Sequence, residues 1–310
     1  IEVRDLYAVE RRSEIIDFDG DVDDEDLIES EDMVVTVTQS GYIKRTALSE
    51  YREQKRGGKG SQGMNTKDED VVTSLFVANT HTPLLFFSSS GIVYKLKTWR
   101  LPQGGRNSRG KAIINMIPIE SGTSVAAIMP VDAPEKEWKN LQIFFATSTG
   151  DVRRNALSDF TNVKSNGKIA MKLPEGTTLV SARICSEKND VMLTTSLGKS
   201  IRFPVSEVRT FKGRDSIGVR GIRLAKGDYV VSMAIILHVD ATSEERNAYF
   251  KMRRAVTGEV SDFEDTVTPE ISLNQERYIE LSAKEEWILT ITALGFGKRS
   301  SAHEYRVSGR

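Results

Sequence analysis

Much that would announce a function is missing from this chain. Its single cysteine, Cys185, sits in "SARICSEKND" between apolar-alternating flanks, and reads as a small buried hydrophobe in a reducing compartment. The three histidines, His81, His238 and His303, stand far apart with no second cluster of ligand-type residues beside any of them, which argues against a zinc site or a Cys/His nucleophile pair. There is no signal peptide and no run of 18 apolar residues, so the expectation is a cytoplasmic protein without a membrane partner. Helical periodicity is nearly absent beyond residue 32, which leaves no helix patterned for the DNA major groove.

Net charge is also close to missing: 43 bases against 44 acids give −1. That balance conceals a segregation. Residues 1–32 carry 14 acids and 3 bases, and residues 240–286 carry 12 acids and 6 bases. The rest holds 34 bases and 18 acids, a net of +16. A solvated mixed surface would not sort its signs in this way, and the asymmetry points to a polyanion partner.

What the chain has in quantity is repetition. "VVTVTQSGYIKRTALSEY" (34–51), "LLFFSSSGIVYKLKTWRL" (84–101), "IFFATSTGDVRRNALSDF" (143–160), "VMLTTSLGKSIRFPVSEV" (191–208) and "ILTITALGFGKRSSAHEY" (288–305) share one design. Each has an apolar β-type run, small polar residues, a glycine, a basic second run and a short Ser/Glu/aromatic segment. The anchors Gly41, Gly91, Gly150, Gly198 and Gly295 are 50, 59, 48 and 97 residues apart, so the last gap is one period plus an insertion. Each unit predicts a hairpin of two alternating strands about a Ser/Thr-Gly turn. A glycine-bearing loop and two further apolar strands follow, as in 112–131 and 169–184. Four strands per roughly 50 residues is propeller-like, an all-β chain of four-stranded blades that must stack to bury their faces.

The divisions expected are a helix end with an acidic linker over 1–32 and the β domain over 33–310, its last blade incomplete. Residues 240–286 interrupt one period. They contain "TSEERNAYFKMRRAVTG", able to form an amphipathic helix, and read as an elaborated loop between strands.

The stretch "QKRGGKG" (54–60) raises the question of phosphate. It fails as a Walker A loop, because Lys59 is followed by Gly60 and no helix pattern succeeds it. Equivalent loops carry Arg106, Arg109 and Lys111, then Lys164 and Lys168, then Lys212, Arg214 and Arg220. The second hairpin strands add Lys44 and Arg45, Lys95 and Lys97, Arg153 and Arg154, Lys199 and Arg202, and Lys298 and Arg299. Repeated units place equivalent loops on one edge, so these cations are expected to line a rim that suits phosphates rather than bases. A protein-binding propeller and an enzyme with a central-channel site are the alternatives. The first requires exposed apolar patches, and the second requires clustered carboxylates or metal ligands, which the sequence does not show.

Gln54-Lys55-Arg56-Gly57-Gly58-Lys59-Gly60 resembles the seven-residue box of the DNA gyrase A C-terminal domain family. "EDLIESEDMVVTVTQSGYIKRTALSEY", "VANTH", "GVRGIRL" and "GDYVVSM" resemble that family too, over nearly the whole chain apart from 240–286. Lys55 stands where the box usually has Arg, which keeps the charge but not the fork geometry. The related protein of topoisomerase IV has a shorter domain with a degraded box. The resemblance implies a β-pinwheel whose blades exchange strands and whose rim wraps double-stranded DNA, the box completing the wrap. Family members commonly have six blades, against four anchors plus the start of a fifth here. The implied setting is the nucleoid-associated type IIA topoisomerase DNA gyrase. There the rest of the gyrase A protein joins the gyrase B protein in an A2B2 heterotetramer that uses ATP and Mg2+ for negative supercoiling. This fragment would itself hold no cofactor, no metal and no catalytic residue.

Overall fold

The five glycine anchors are the turns of five β-hairpins. A computed structural model of the chain describes residues 2–7, 24–51, 70–213, 216–257 and 273–310. In every hairpin the turn glycine has φ between 78° and 85°, where a side chain would strain the backbone. Its amide returns to the carbonyl three residues earlier at 3.0 Å. The Ser or Thr that opens the turn accepts the amide four residues on, as in Ile92 to Ser88 Oγ (3.0 Å) and Asp151 to Thr147 Oγ1 (3.0 Å). The small polar residues before each glycine are thus turn-forming parts. Register repeats as well: Val35 faces Arg45, Leu85 faces Lys95, Phe144 faces Arg154, Met192 faces Arg202 and Leu289 faces Arg299.

The hairpins grow into blades by antiparallel addition, save for Thr210–Phe211, which joins the third in parallel. The first sheet is ordered Val72–Asn79, Asp32–Thr38, Tyr42–Ala47, Lys111–Ala112, and the second Val125–Pro130, Pro83–Ser88, Ile92–Lys97, Lys168–Ile169. The third runs Leu179–Cys185, Gln142–Thr147, Asp151–Ala156, with Val219–Arg220 and Thr210–Phe211 against the last of these. The fourth has Val230–Leu237, Asn189–Thr195 and Ser200–Pro204, and the fifth is the hairpin Trp287–Ile291 with Gly297–Ser301.

Strand exchange is visible in that order. Lys111–Ala112 follows the second hairpin in sequence, yet pairs with Tyr42 and Ile43 of the first. Lys168–Ile169 pairs back from the third unit to Ile92 and Val93, and Val219–Arg220 from the fourth unit to Val152 and Asp151. Where two further strands of each unit's own blade were expected, the first is this two-residue strand lent to the preceding blade. A glycine with positive φ leads into each: Gly110, Gly167 and Gly218. A Cβ there would lie 2.3 Å from the Ile43 carbonyl oxygen, 2.7 Å from Ile92 and Tyr94, and 2.3 Å from the Val152 carbonyl oxygen.

The first strand of an inner hairpin is buried on both faces, because a blade stacks on either side of it. Leu84 and Phe86 pack with Val35, Val37 and Ile43 of the first blade, while Leu85 and Phe87 pack with Ile143 and Phe145 of the third. Phe144 and Ala146 turn the other way, onto Val191, Leu193 and Phe203 of the fourth. The cores therefore lie between blades, each strand feeding two of them. Phe87, Phe145 and Phe160 meet edge to face at 5.6–6.2 Å between blades two and three. Burial pushes the Cys185 thiol up to about 12, as suits a packing residue.

The insertion is more than a loop. Thr242 and Glu245 form a reciprocal capping box at the start of helix Ser243–Thr257 (3.2 and 2.9 Å), and Asn274 caps Gln275–Ala283. Val239, Tyr249, Leu273 and Leu281 form a small core of their own. Tyr249 stands edge-on to His303 of the fifth unit (5.5 Å), whose Nε2 bonds the Leu281 carbonyl at 3.0 Å. The insertion thus supports the fifth hairpin. At the other end, Glu2–Tyr7 is helical and Asp24–Leu27 forms a single 3-10 turn.

Candidate nucleic-acid interface

The exchanged segments form the same edge of the first three sheets, next to the second hairpin strand. Because the blades stack through their faces, that edge forms a continuous band. Arg109 and Lys111, Lys164, and Lys212 and Arg220 are exposed there, with Arg106 and Lys168 half-buried. Lys172 and Arg223 are exposed a few residues further on, each close past the amides that bond the Gly91 or Gly150 carbonyl. Their common offset from the loop glycine was a signal that reading the loops alone passed over. Three successive exchanged loops thus present cations along this edge, though not at equivalent positions. Lys111 and Lys168 pair with Ile43 and Val93, where the third blade has Val219. Together the loops give phosphates several contacts.

The second-strand cations divide differently. Lys44, Arg153, Arg154 and Arg202 are buried, contrary to the expectation that they line the rim. Exchange brings loop carbonyls beside them that no strand satisfies, and buried carbonyls need donors. Lys44 Nζ donates to the carbonyls of Gly105 (3.0 Å) and Arg106 (2.6 Å), and Arg153 to that of Ser216 (2.7 Å). Half-buried Lys95 donates to the Thr161 carbonyl (2.8 Å) and pairs with Glu135. Arg202 donates to the carbonyls of Ala302 (2.6 Å), Tyr305 (3.3 Å) and Leu237 (3.2 Å), and to Asp190 at 2.8 Å. In each case the cation of one blade fastens a loop lying beyond its own hairpin. Burial holds the Lys44 ammonium below its ordinary value, with Glu50 acting the other way. Arg154 is held by Glu187 (2.6 Å) and Gln142 (3.1 Å).

The remaining expected residues have mixed settings. Half-buried Arg45 donates to the Leu101 carbonyl at 3.0 Å, and Lys97 meets Glu25 at 2.9 Å. Lys168 bonds the carbonyls of Asp159 and Asn162. Lys199, Lys298 and Arg299 are exposed, Arg299 with its guanidinium 4.1 Å from the Trp287 ring centre. The box Gln54–Gly60 and Arg214 lie outside the described residues.

Comparison with known proteins decides the family. The model described as DNA gyrase C-terminal domain, beta-propeller, matches residues 32–79, 82–132, 142–186, 189–236 and 286–310. The chain belongs to the DNA gyrase C-terminal domain family. Its matched segments are the five repeats, and they step over the insertion. The DNA gyrase A protein of Granulibacter bethesdensis is 46% identical over 315 residues, covering 97% of this chain and 34% of that protein. The gyrase A protein of Rickettsia bellii is 45% identical, covering 100% and 34%. That of Escherichia coli K12 is 42% identical over 229 residues, covering 74% and 26%. The chain therefore spans about a third of the length of the relatives it matches most fully. Among solved structures, a topoisomerase IV C-terminal domain aligns with a TM-score of 0.57 at 29% identity, covering 68% of this chain and 63% of that one. A gyrase A C-terminal domain aligns with 0.54 at 25% identity, covering 66% and 65%. No helix among the described residues is long and apolar enough to cross a membrane, and they contain no group of three potential metal ligands.

Proposed function

We propose that this gyrase A C-terminal domain wraps duplex DNA, without sequence preference, along the band of exchanged loops. The observation that carries this is that the exchanged loops along one edge of three consecutive sheets each carry exposed cations. Bending a 20–30 base-pair site costs on the order of 1–6 kcal/mol, and contacts spread along an arc can offset that cost. Within an A2B2 gyrase, the wrap would present a DNA crossing. ATP-driven strand passage elsewhere in the enzyme would convert that crossing into negative supercoils. The domain contributes geometry and charge to that cycle, not chemistry.

The box on the first blade tests the reading. Replacing Gln54–Gly60 by alanines removes three of many cations, so affinity should fall modestly, because each phosphate contact adds a similar increment. Bending, followed by energy transfer between labelled DNA ends, should fall sharply. The full-length reconstituted enzyme should lose negative supercoiling while relaxing and decatenating DNA. Full supercoiling by that variant would refute a wrapping role for the box.

A further inference from the structure

One polar cavity lies away from the band, where the insertion meets the fourth and fifth blades. It has a volume of about 190 Å³, and among its walls are Arg202, Arg246, Arg306, Thr242, Ser243 and His303. No carboxylate lines it. The acids beside it already have partners: Asp190 holds Arg202, Glu245 takes Arg277 at 2.9 Å and the Thr242 amide at 2.9 Å, and Glu244 takes the Thr242 side chain. The uncompensated charge is that of Arg246 and Arg306. Arg306 is exposed and makes no side-chain hydrogen bond or ion pair among the described residues. The Arg246 guanidinium reaches only Ser243 Oγ at 3.2 Å. Burial first, and then the facing charges of Arg202 and Arg306, hold Arg246 below the ordinary arginine value. Two guanidiniums brought together around a void, with two hydroxyls and the start of a 15-residue helix beside them, cost repulsion that an anion would remove.

We propose that this pocket is a binding site for one phosphate-class oxyanion, supplied by a backbone phosphate of duplex DNA or by a small free anion. The volume holds a single tetrahedral oxyanion with a few waters. Arg246 and Arg306 supply forked donors, and Ser243 supplies a hydroxyl. The site exists because of the insertion: Arg246 lies on its first helix, while Arg306 follows the fifth hairpin. It does not depend on wrapping along the exchanged loops.

Inorganic phosphate titrated calorimetrically into the 310-residue protein, against chloride at matched ionic strength, should bind with one-to-one stoichiometry. The double variant Arg246→Gln, Arg306→Gln should weaken that binding by about tenfold or more, the loss of at least one charge-assisted hydrogen bond. Arg202 is left intact because it fastens the blades. DNA distinguishes the two sources. If the ligand is a backbone phosphate, phosphate competes with a duplex, and the variant's plot of log affinity against log salt becomes shallower by about 0.9. If it is a free anion, DNA affinity and slope stay unchanged while phosphate binding is lost. A wild-type protein with no saturable phosphate binding overturns the proposal. Because the first measurement needs only the wild type, a misfolded variant would not leave the question open. Phosphate binding with no DNA bending would sink the wrapping proposal and spare this one.

Discussion

Lys44 and Lys111 belong to the same first blade and carry the same charge, yet one is fully buried and the other exposed. Lys44 stands inside a strand, against the carbonyls of the loop lent by the second unit. Lys111 stands on the lent strand itself, facing water. The pairing recurs with Arg153 and Arg220 in the third blade. A single chain thus uses cations for two tasks. Buried ones fasten each blade to the loop that completes it, and exposed ones decorate that loop's outer side. What separates them is what lies beside them: loop carbonyls for Lys44, Arg153 and Arg202, the Glu187 and Gln142 side chains for Arg154, and water for the exposed set. A count of basic residues overstates the charge open to a ligand, because part of it is turned inward.

The sharpest way to break this division is at Arg202. Replacing it with Met keeps much of the volume but leaves the carboxylate of fully buried Asp190 with His238 Nδ1 (2.7 Å) as its remaining side-chain partner. It also removes the guanidinium donor from the carbonyls of Ala302, Tyr305 and Leu237. Loss of one partner from a buried pair costs about 3–5 kcal/mol. Arg202→Met should therefore lower the denaturant midpoint markedly, and protection of the fifth hairpin from hydrogen exchange should fall first. A variant with the wild-type midpoint but weakened DNA binding would reverse the assignment and return Arg202 to the rim.

The exposed set should behave in the opposite way. Lys111→Gln, Lys164→Gln and Lys212→Gln touch three successive loops and no buried carbonyl. Combined, they should leave the melting transition within about 0.5 kcal/mol of wild type. The slope of log affinity against log salt should become shallower by about 0.9 for each phosphate no longer neutralised, nearly three units in all. Unchanged slope with a lowered melting temperature would show that the loops serve the fold and that DNA runs elsewhere.

The sequence made some of this legible and hid the rest, for physical reasons. Each hairpin could be read from a few adjacent residues because its determinants are local: a Ser or Thr oxygen reaching four residues on, and a glycine where φ must be positive. Exchange could not be read from local pattern, because Lys111–Ala112 resembles the start of any strand and its partner lies in another unit. The two-sided burial of "LLFF" is equally nonlocal, set by blades on either side. Arg246 and Arg306 gave no signal because the insertion's fold brings them together. The loop cations were found because each repeat carries a basic glycine-bearing loop, although their positions within those loops differ. Equivalent spacing could not separate Lys95, half-buried, from Arg154, buried at the same position of the next hairpin.

Lys97 sits on the border between the two classes, and it offers the finest test. It is half-buried, donates to the His81 carbonyl at 3.0 Å, and meets Glu25 at 2.9 Å. Glu25 belongs to the acidic stretch before the first blade. That stretch is tied down by the Ile28 carbonyl on His81 Nε2 (2.8 Å) and by Thr80 Oγ1 on the Glu29 carbonyl (2.8 Å). An acid is therefore fixed on a cation that a phosphate could otherwise reach. A partly exposed pair of this kind is worth no more than about 1 kcal/mol, so Glu25→Gln should leave folding nearly untouched. If the acid competes with DNA for Lys97, the same change should tighten duplex binding severalfold at most in low salt. The gain should fade as the Debye length drops below about 8 Å. Filter binding at two ionic strengths would read this directly. Unaltered affinity at low salt would place Lys97 with the fastening cations, turned to His81 rather than to DNA.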